Sequence, residues 1–92
     1  MIKKMSFPAD EIKSIQGQST IVTTRVSQEY NKYHLGEMVL LPWMECYTVS
    51  GVLRIHDIHQ HPFYTALTPA QIQLISKYKR IDVITLKKGK TP

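Results

Sequence analysis

An α+β fold built on one curved β-sheet, or on that sheet closed into a small barrel, is predicted by three features of the sequence. They are a β-branched run from Thr20 to Val26, a helix-start signature at Thr68-Pro69-Ala70-Gln71, and an alternating apolar run from Ile81 to Leu86. The 92 residues are short for two domains, so a single core is expected. A chain of this size buries only about 60–65% of the surface its unfolded form exposes, so any pocket is expected to be shallow or partly open.

The elements follow in order. Residues 1–7 read as a short first strand. Pro8, the acidic pair Asp10 and Glu11, and Gly17 beyond them outline a helix of about two turns anchored by Ile12 and Ile15. The period of two on the next strand puts Val22, Thr24 and Val26 on one face and Ile21, Thr23 and Arg25 on the other. The polar stretch from Ser27 to Tyr33 has room for a helical turn, and Leu35-Gly36-Glu37 reads as a tight turn. It feeds a strand, Met38-Val39-Leu40-Leu41, whose consecutive apolar residues imply burial on both faces, and Pro42-Trp43 ends it. Tyr47–Val49 and Val52–Ile58 read as two antiparallel strands joined by a turn at Ser50-Gly51. A polar loop, His59-Gln60-His61-Pro62, precedes the second helix, with Thr68 as N-cap, Pro69 at its first position and Gln71 completing a capping box. The last strand alternates Ile81, Val83 and Thr85 against Asp82, Ile84 and Leu86. The domain is expected to span residues 1–87 and a flexible basic tail residues 88–92.

Composition narrows the functional classes. The hydrophobic fraction of 42% and charged fraction of 21% are those of an ordinary globular protein. The N-terminal residues lack the apolar stretch of a secretory signal and no apolar run approaches bilayer length, so a cytoplasmic protein with no membrane contact is expected. Cys46, the lone cysteine, fits a reducing compartment and reads as a small packed hydrophobe. The glycines stand apart at 17, 36, 51 and 89, which excludes Walker-type and dinucleotide-type phosphate loops. Twelve Lys and Arg against seven Asp and Glu give a net charge of +5, which favours polyanionic partners through counterion release.

Several residues are candidates for contact with nucleic acid or another ligand. Arg25 offers a planar fork of donors to a phosphate or a guanine edge, with the Thr23 hydroxyl beside it on the same strand face; a surface pair with Glu29 or Glu37 is its alternative use. Lys77, Lys79 and Arg80, with Lys87, Lys88 and Lys90 beyond, form the main concentration of positive charge, opposed only by Asp82. Tyr33, Trp43, Phe63 and Tyr78 are aromatic partners on which unpaired bases would stack. Ser19, Thr20, Lys32, Arg54 and His56 complete the candidate set. His56, His59 and His61 cluster in sequence, but no fourth ligand is evident and they read as loop histidines, so no metal and no cofactor are expected.

The order strand, helix, strand, meander, helix, strand, with Gly17-Gln18-Ser19-Thr20, then Thr23-Thr24-Arg25, then Tyr33-His34-Leu35-Gly36-Glu37, resembles the ASCH branch of the PUA-like superfamily over most of the chain. Members carry a G-x-K-T-x-T-x-R pattern on the second strand and a Gly-Asp turn before the third. Here one extra residue separates Gly17 from Arg25, and Ser19 or Thr20 stands where the family has lysine. The resemblance implies a PUA-like curved sheet or barrel and a pocket for RNA or a nucleobase lined by Ser19, Thr23 and Arg25. In hydrolytic members the lysine and a downstream glutamate are implied to be catalytic. No lysine lies between Lys13 and Lys32 and no acidic residue between Asp57 and Asp82, so no catalytic residue is assigned. The leading expectation is an RNA- or nucleobase-binding module. The alternatives are a hydrolase acting on a modified nucleobase or RNA in the same pocket, and a protein-binding adaptor or inhibitor.

Overall fold

A computed structural model describes residues 2–88. It shows β1 (Lys3–Lys4), α1 (Ala9–Ile15), β2 (Thr20–Val26), β3 (Met38–Leu40), β4 (Cys46–Ile55), α2 (Pro69–Ile75) and β5 (Ile81–Lys88), with short 3₁₀ turns at Ser27–Glu29, Ile58–Gln60 and Tyr64–Ala66. The five strands form one mixed sheet in the order β1-β3-β4-β5-β2. Only the β1–β3 pairing is parallel; the other three are antiparallel. The sheet is not closed into a barrel, so β1 and β2 are its edges.

The sheet buries both faces because β5, its most apolar strand, lies next to the β2 edge with side chains in two cores. Ile84 and Leu86 join Ile21, Val39, Tyr47 and Val49 in one, covered by Met5, Tyr33 and Leu41, with Phe7, Ile15 and Trp43 packed against it. Ile81 and Val83 join Ile55, Ile58 and Ile75 in the other, beneath Ile72, Leu67, Tyr64 and Tyr78. We call these the α1 face and the α2 face. The helices differ in how they are fixed. Thr68 accepts the Gln71 amide at 3.2 Å while the Gln71 side chain accepts the Thr68 amide at 2.9 Å, the reciprocal box that the sequence predicts. At α1 the N-cap is Pro8, which supplies no side-chain acceptor.

Four sequence expectations change, the first being that the strand expected to run to Ile58 ends at Ile55, with Ile58 opening a 3₁₀ turn. Ser50-Gly51 is not a turn: Val49 pairs with Leu86 and Gly51 with Thr85, so Ser50 is the extra residue of a β-bulge inside one ten-residue strand. The bulge puts Val49 and Val52 on the same face, which a strict period of two forbids. Met38 is 38% exposed while Val39 and Leu41 are buried, so the third strand alternates rather than hiding both faces. Lys88, assigned to the tail, is the last residue of β5, where its amide donates to the Ser19 carbonyl at 2.8 Å. The rest of the expected tail lies outside the described residues. Among the described residues no helix is long and apolar enough to cross a membrane.

Candidate nucleic-acid interface

Sheet register sets the geometry at one end of the molecule. Val26, Ile81 and Ile55 lie side by side, so β2 and β4 end where β5 begins, and Ser27, Arg80 and His56 emerge together. One step inward, Arg25, Asp82 and Arg54 form a row across the three strands on the α1 face. Asp82 is fully buried. Its Oδ2 accepts the Asn31 amide at 2.7 Å, and the Arg54 Nε stands 3.2 Å from Oδ1 without the alignment of a hydrogen bond. Asn31 reaches this carboxylate in a left-handed conformation, φ 59°, which asparagine tolerates better than most residues. The buried charge therefore fixes the Ser27–Lys32 segment over the end of the sheet.

Arg25 has a different set of partners. Its guanidinium lies 4.6 Å from the centre of the Phe7 ring, donates from Nη1 to both Glu29 carboxylate oxygens at 3.0 Å, and from Nε to the Thr23 hydroxyl at 3.2 Å. Only 11% of the side chain is exposed. Thr23 is buried beneath it. Nε and Nη1 are thus taken inside the protein, and the Glu29 pair weighed for Arg25 is the one that forms. Arg25 stands opposite Asp82, two residues along the chain from Arg80, and the hollow that it lines includes none of Lys77, Lys79 and Arg80.

The other candidates divide between interior and surface. Tyr33 is 1% exposed, its phenol raised above the usual pKa by burial and by the neighbouring Glu29 charge, so it is a core residue and cannot stack a base. Trp43 is half-buried against Phe7 and Tyr47 and donates its indole N–H to Glu45 at 2.6 Å. Ser19 and Thr20 are exposed at the far end of β2, away from Arg80. Lys32, Arg54, His56, Lys77, Lys79 and Arg80 are exposed, and His56 Nδ1 is 3.1 Å from the Lys79 carbonyl oxygen, tying the two connections together. Arg54 also spans from Asp82 to the Asn31 side chain, 5.8 Å from the Tyr30 ring. Tyr30 escaped the sequence reading, because nothing local marks a polar-loop tyrosine as the neighbour of a strand arginine.

The histidines take separate roles. His59 pairs with Asp57 at 2.7 Å, and the His59 amide above all holds the Asp57 carboxyl below its usual range. His61, expected in a polar loop, is buried. Its Nδ1 accepts the Phe63 amide at 3.0 Å, so the ring proton must sit on Nε2, which donates to the Thr24 hydroxyl 2.9 Å away. Burial lowers the His61 pKa, in keeping with this neutral tautomer. With its acceptor nitrogen facing Phe63, His61 cannot take a proton from Thr24, so this hydroxyl–imidazole pair is not a nucleophile and base. Among the described residues no three His, Cys, Asp or Glu side chains converge as metal ligands.

Two hollows flank the sheet. A groove of about 510 Å³ runs along β2 between Pro8 and Glu11 on one side and His61, Phe63, Leu67 and Leu74 on the other. A more open one, about 710 Å³, lies by Lys4, Lys32, Tyr33 and Met44. No family model, curated protein or solved structure matches the chain.

Proposed function

We propose that the chain is an RNA-binding module of ASCH or PUA-like kinship, working in the cytoplasm, whose contact surface is the end of the sheet where β5 begins. The supporting observation is how the charges are distributed. Glu37, Glu29, Asp82 and Glu45 are taken by Lys3, Arg25, Arg54 and Lys88. Among the described residues, Lys77, Lys79 and Arg80, like Lys4, Lys13, Lys32 and Lys87, are exposed and have no carboxylate partner, and these three fall within one short segment at one end of the molecule. Arg54, His56 and Tyr30 border them and offer a guanidinium, an imidazole and an aromatic ring to a single strand.

This reading replaces an internal base pocket by a surface. A phosphate backbone needs exposed, mobile cations, which the Lys77–Arg80 segment supplies; Arg25 and Thr23 act from beneath by holding the Phe7 and Glu29 segments in place. Hydrolysis forms no part of it, because the hydroxyl that faces a histidine, Thr24, has no base. Fluorescence anisotropy with a labelled single-stranded RNA, repeated across a salt series, tests the proposal. Binding should weaken linearly in log K against log salt. Absence of binding at low salt would refute it.

A further inference from the structure

β2 is an edge strand whose unpaired side faces a walled groove, and hydrogen-bond phase shows which backbone groups are open there. The Lys88 amide donates to the Ser19 carbonyl, and Thr20 stands opposite Lys87 in the ladder. Ser19, Ile21, Thr23 and Arg25 therefore turn their N–H and C=O groups toward β5, while Thr20, Val22, Thr24 and Val26 turn theirs outward. Among the described residues no hydrogen bond reaches the outward groups of Val22 or Thr24. They point into the groove of about 510 Å³, whose α2 wall carries Phe63, 48% exposed, and Leu74, 58% exposed, beside Val22, 39% exposed. Edge strands are usually blunted by proline, inward charge or a covering segment. Of these devices β2 carries one, the inward Arg25, which is held by Phe7 and Glu29 on the α1 face; it has no proline, and exposed apolar side chains border it on the α2 face.

We infer that this edge binds an extended segment of another polypeptide by strand addition, the added strand being apolar at alternate positions and acidic at its ends. Alternate donors and acceptors repeating along a strand are matched by another peptide backbone and not by a sugar-phosphate chain. An added strand sends every second side chain to the α2 face, against Val22, Phe63 and Leu74, which sets the apolar positions. Charge sets the ends: Arg80 precedes Ile81, the partner of Val26, and Lys87 is the partner of Thr20, so a cation stands near each end of the edge on a chain of net charge +5. The same features disfavour a second copy as occupant. Two like-charged chains repel.

The test uses the full chain, isotopically labelled, and a capped synthetic peptide, Glu-Glu-Val-Thr-Val-Thr-Val-Glu-Glu. Adding it should slow hydrogen exchange at the Val22 and Thr24 amides and shift their resonances. Two N-methylated versions, each blocking one alternating set of peptide amides, should then differ: one set faces the edge and its methylation weakens binding by more than about tenfold, while the other set is tolerated. Leu74→Asp, at an exposed position where folding is not at stake, should weaken binding without altering the amide pattern elsewhere. The inference is overturned if Val22 and Thr24 exchange at unchanged rates, or if the two methylated peptides behave alike. It is equally overturned if those amides are already protected in a dimer without peptide, which would make a second copy the occupant. RNA binding at the Lys77–Arg80 end is read separately by anisotropy, so either proposal can fail alone.

Discussion

Arg54 and Asp82 face each other across neighbouring strands, Nε to Oδ1 at 3.2 Å, with the carboxylate fully buried and the arginine side chain 41% exposed. The pair is asymmetric: solvent shares the cation, whereas the anion depends on Arg54 and on the Asn31 amide. Removing the arginine therefore leaves an uncompensated charge in the interior.

From that asymmetry, Arg54→Met should destabilise the fold by about 3 kcal/mol, at the lower end of the cost of orphaning a buried charge because the cation is partly solvated. Adding Asp82→Leu should recover part of the loss, since no buried charge then remains. Urea unfolding of the two variants measures both effects. Equal stability of the single and double variants would show that Asp82 does not rely on Arg54.

His61 should make stability depend on pH above the range in which carboxylates titrate. Burial lowers its folded pKa below the ordinary 6.5. The stabilising contribution is therefore complete above about pH 6.5, where both states are neutral, and is lost as pH falls toward the folded value, because the unfolded chain takes up a proton that the folded one refuses. Glu37 and Glu45, whose folded pKa values are lowered from an ordinary 4.5, add losses only at lower pH. Tm should fall between pH 7 and pH 5.5, and His61→Gln should flatten that slope, because glutamine retains an N–H for Thr24 and does not titrate.

Gly36 and Gly51 should respond unequally to alanine. Gly36 has φ +87° in the turn where its amide donates to Val49 at 2.8 Å, a conformation that costs an L-residue about 1–2 kcal/mol. Gly51 lies at the bulge, where an added Cβ would meet Thr85 Cβ at 3.6 Å, ordinary contact. Gly36→Ala should lower thermal stability clearly and Gly51→Ala hardly at all.

What the sequence discloses is local. The Thr68 capping box and the bounds of β2 follow from residues within one turn or one strand of each other, and both appear as read. Ser50-Gly51 reads as a turn because a turn and a bulge use the same residues; what decides between them is β5, whose Leu86 and Thr85 lie more than thirty positions away. The same holds for the site. Arg25 has two uses open in the sequence, a ligand or a pair with Glu29 or Glu37, because Phe7, the ring it covers, belongs to a segment before the first helix. Asp82 gives no sign of its partner, because nothing near it in the chain indicates that Arg54 lies opposite. The exposed cations were legible, since charge at Lys77, Lys79 and Arg80 requires no partner to be recognised.

The central claim is that the Lys77–Arg80 segment meets a polyanion, and it is tested most directly by the salt dependence of RNA binding for Lys79→Ala/Arg80→Ala against the unmodified chain. Loss of two phosphate contacts to a single strand should reduce the magnitude of the slope of log K against log salt by about 1.4 and weaken binding at every salt concentration. An unchanged slope, with RNA still bound, would contradict the account and place the contact elsewhere on the molecule.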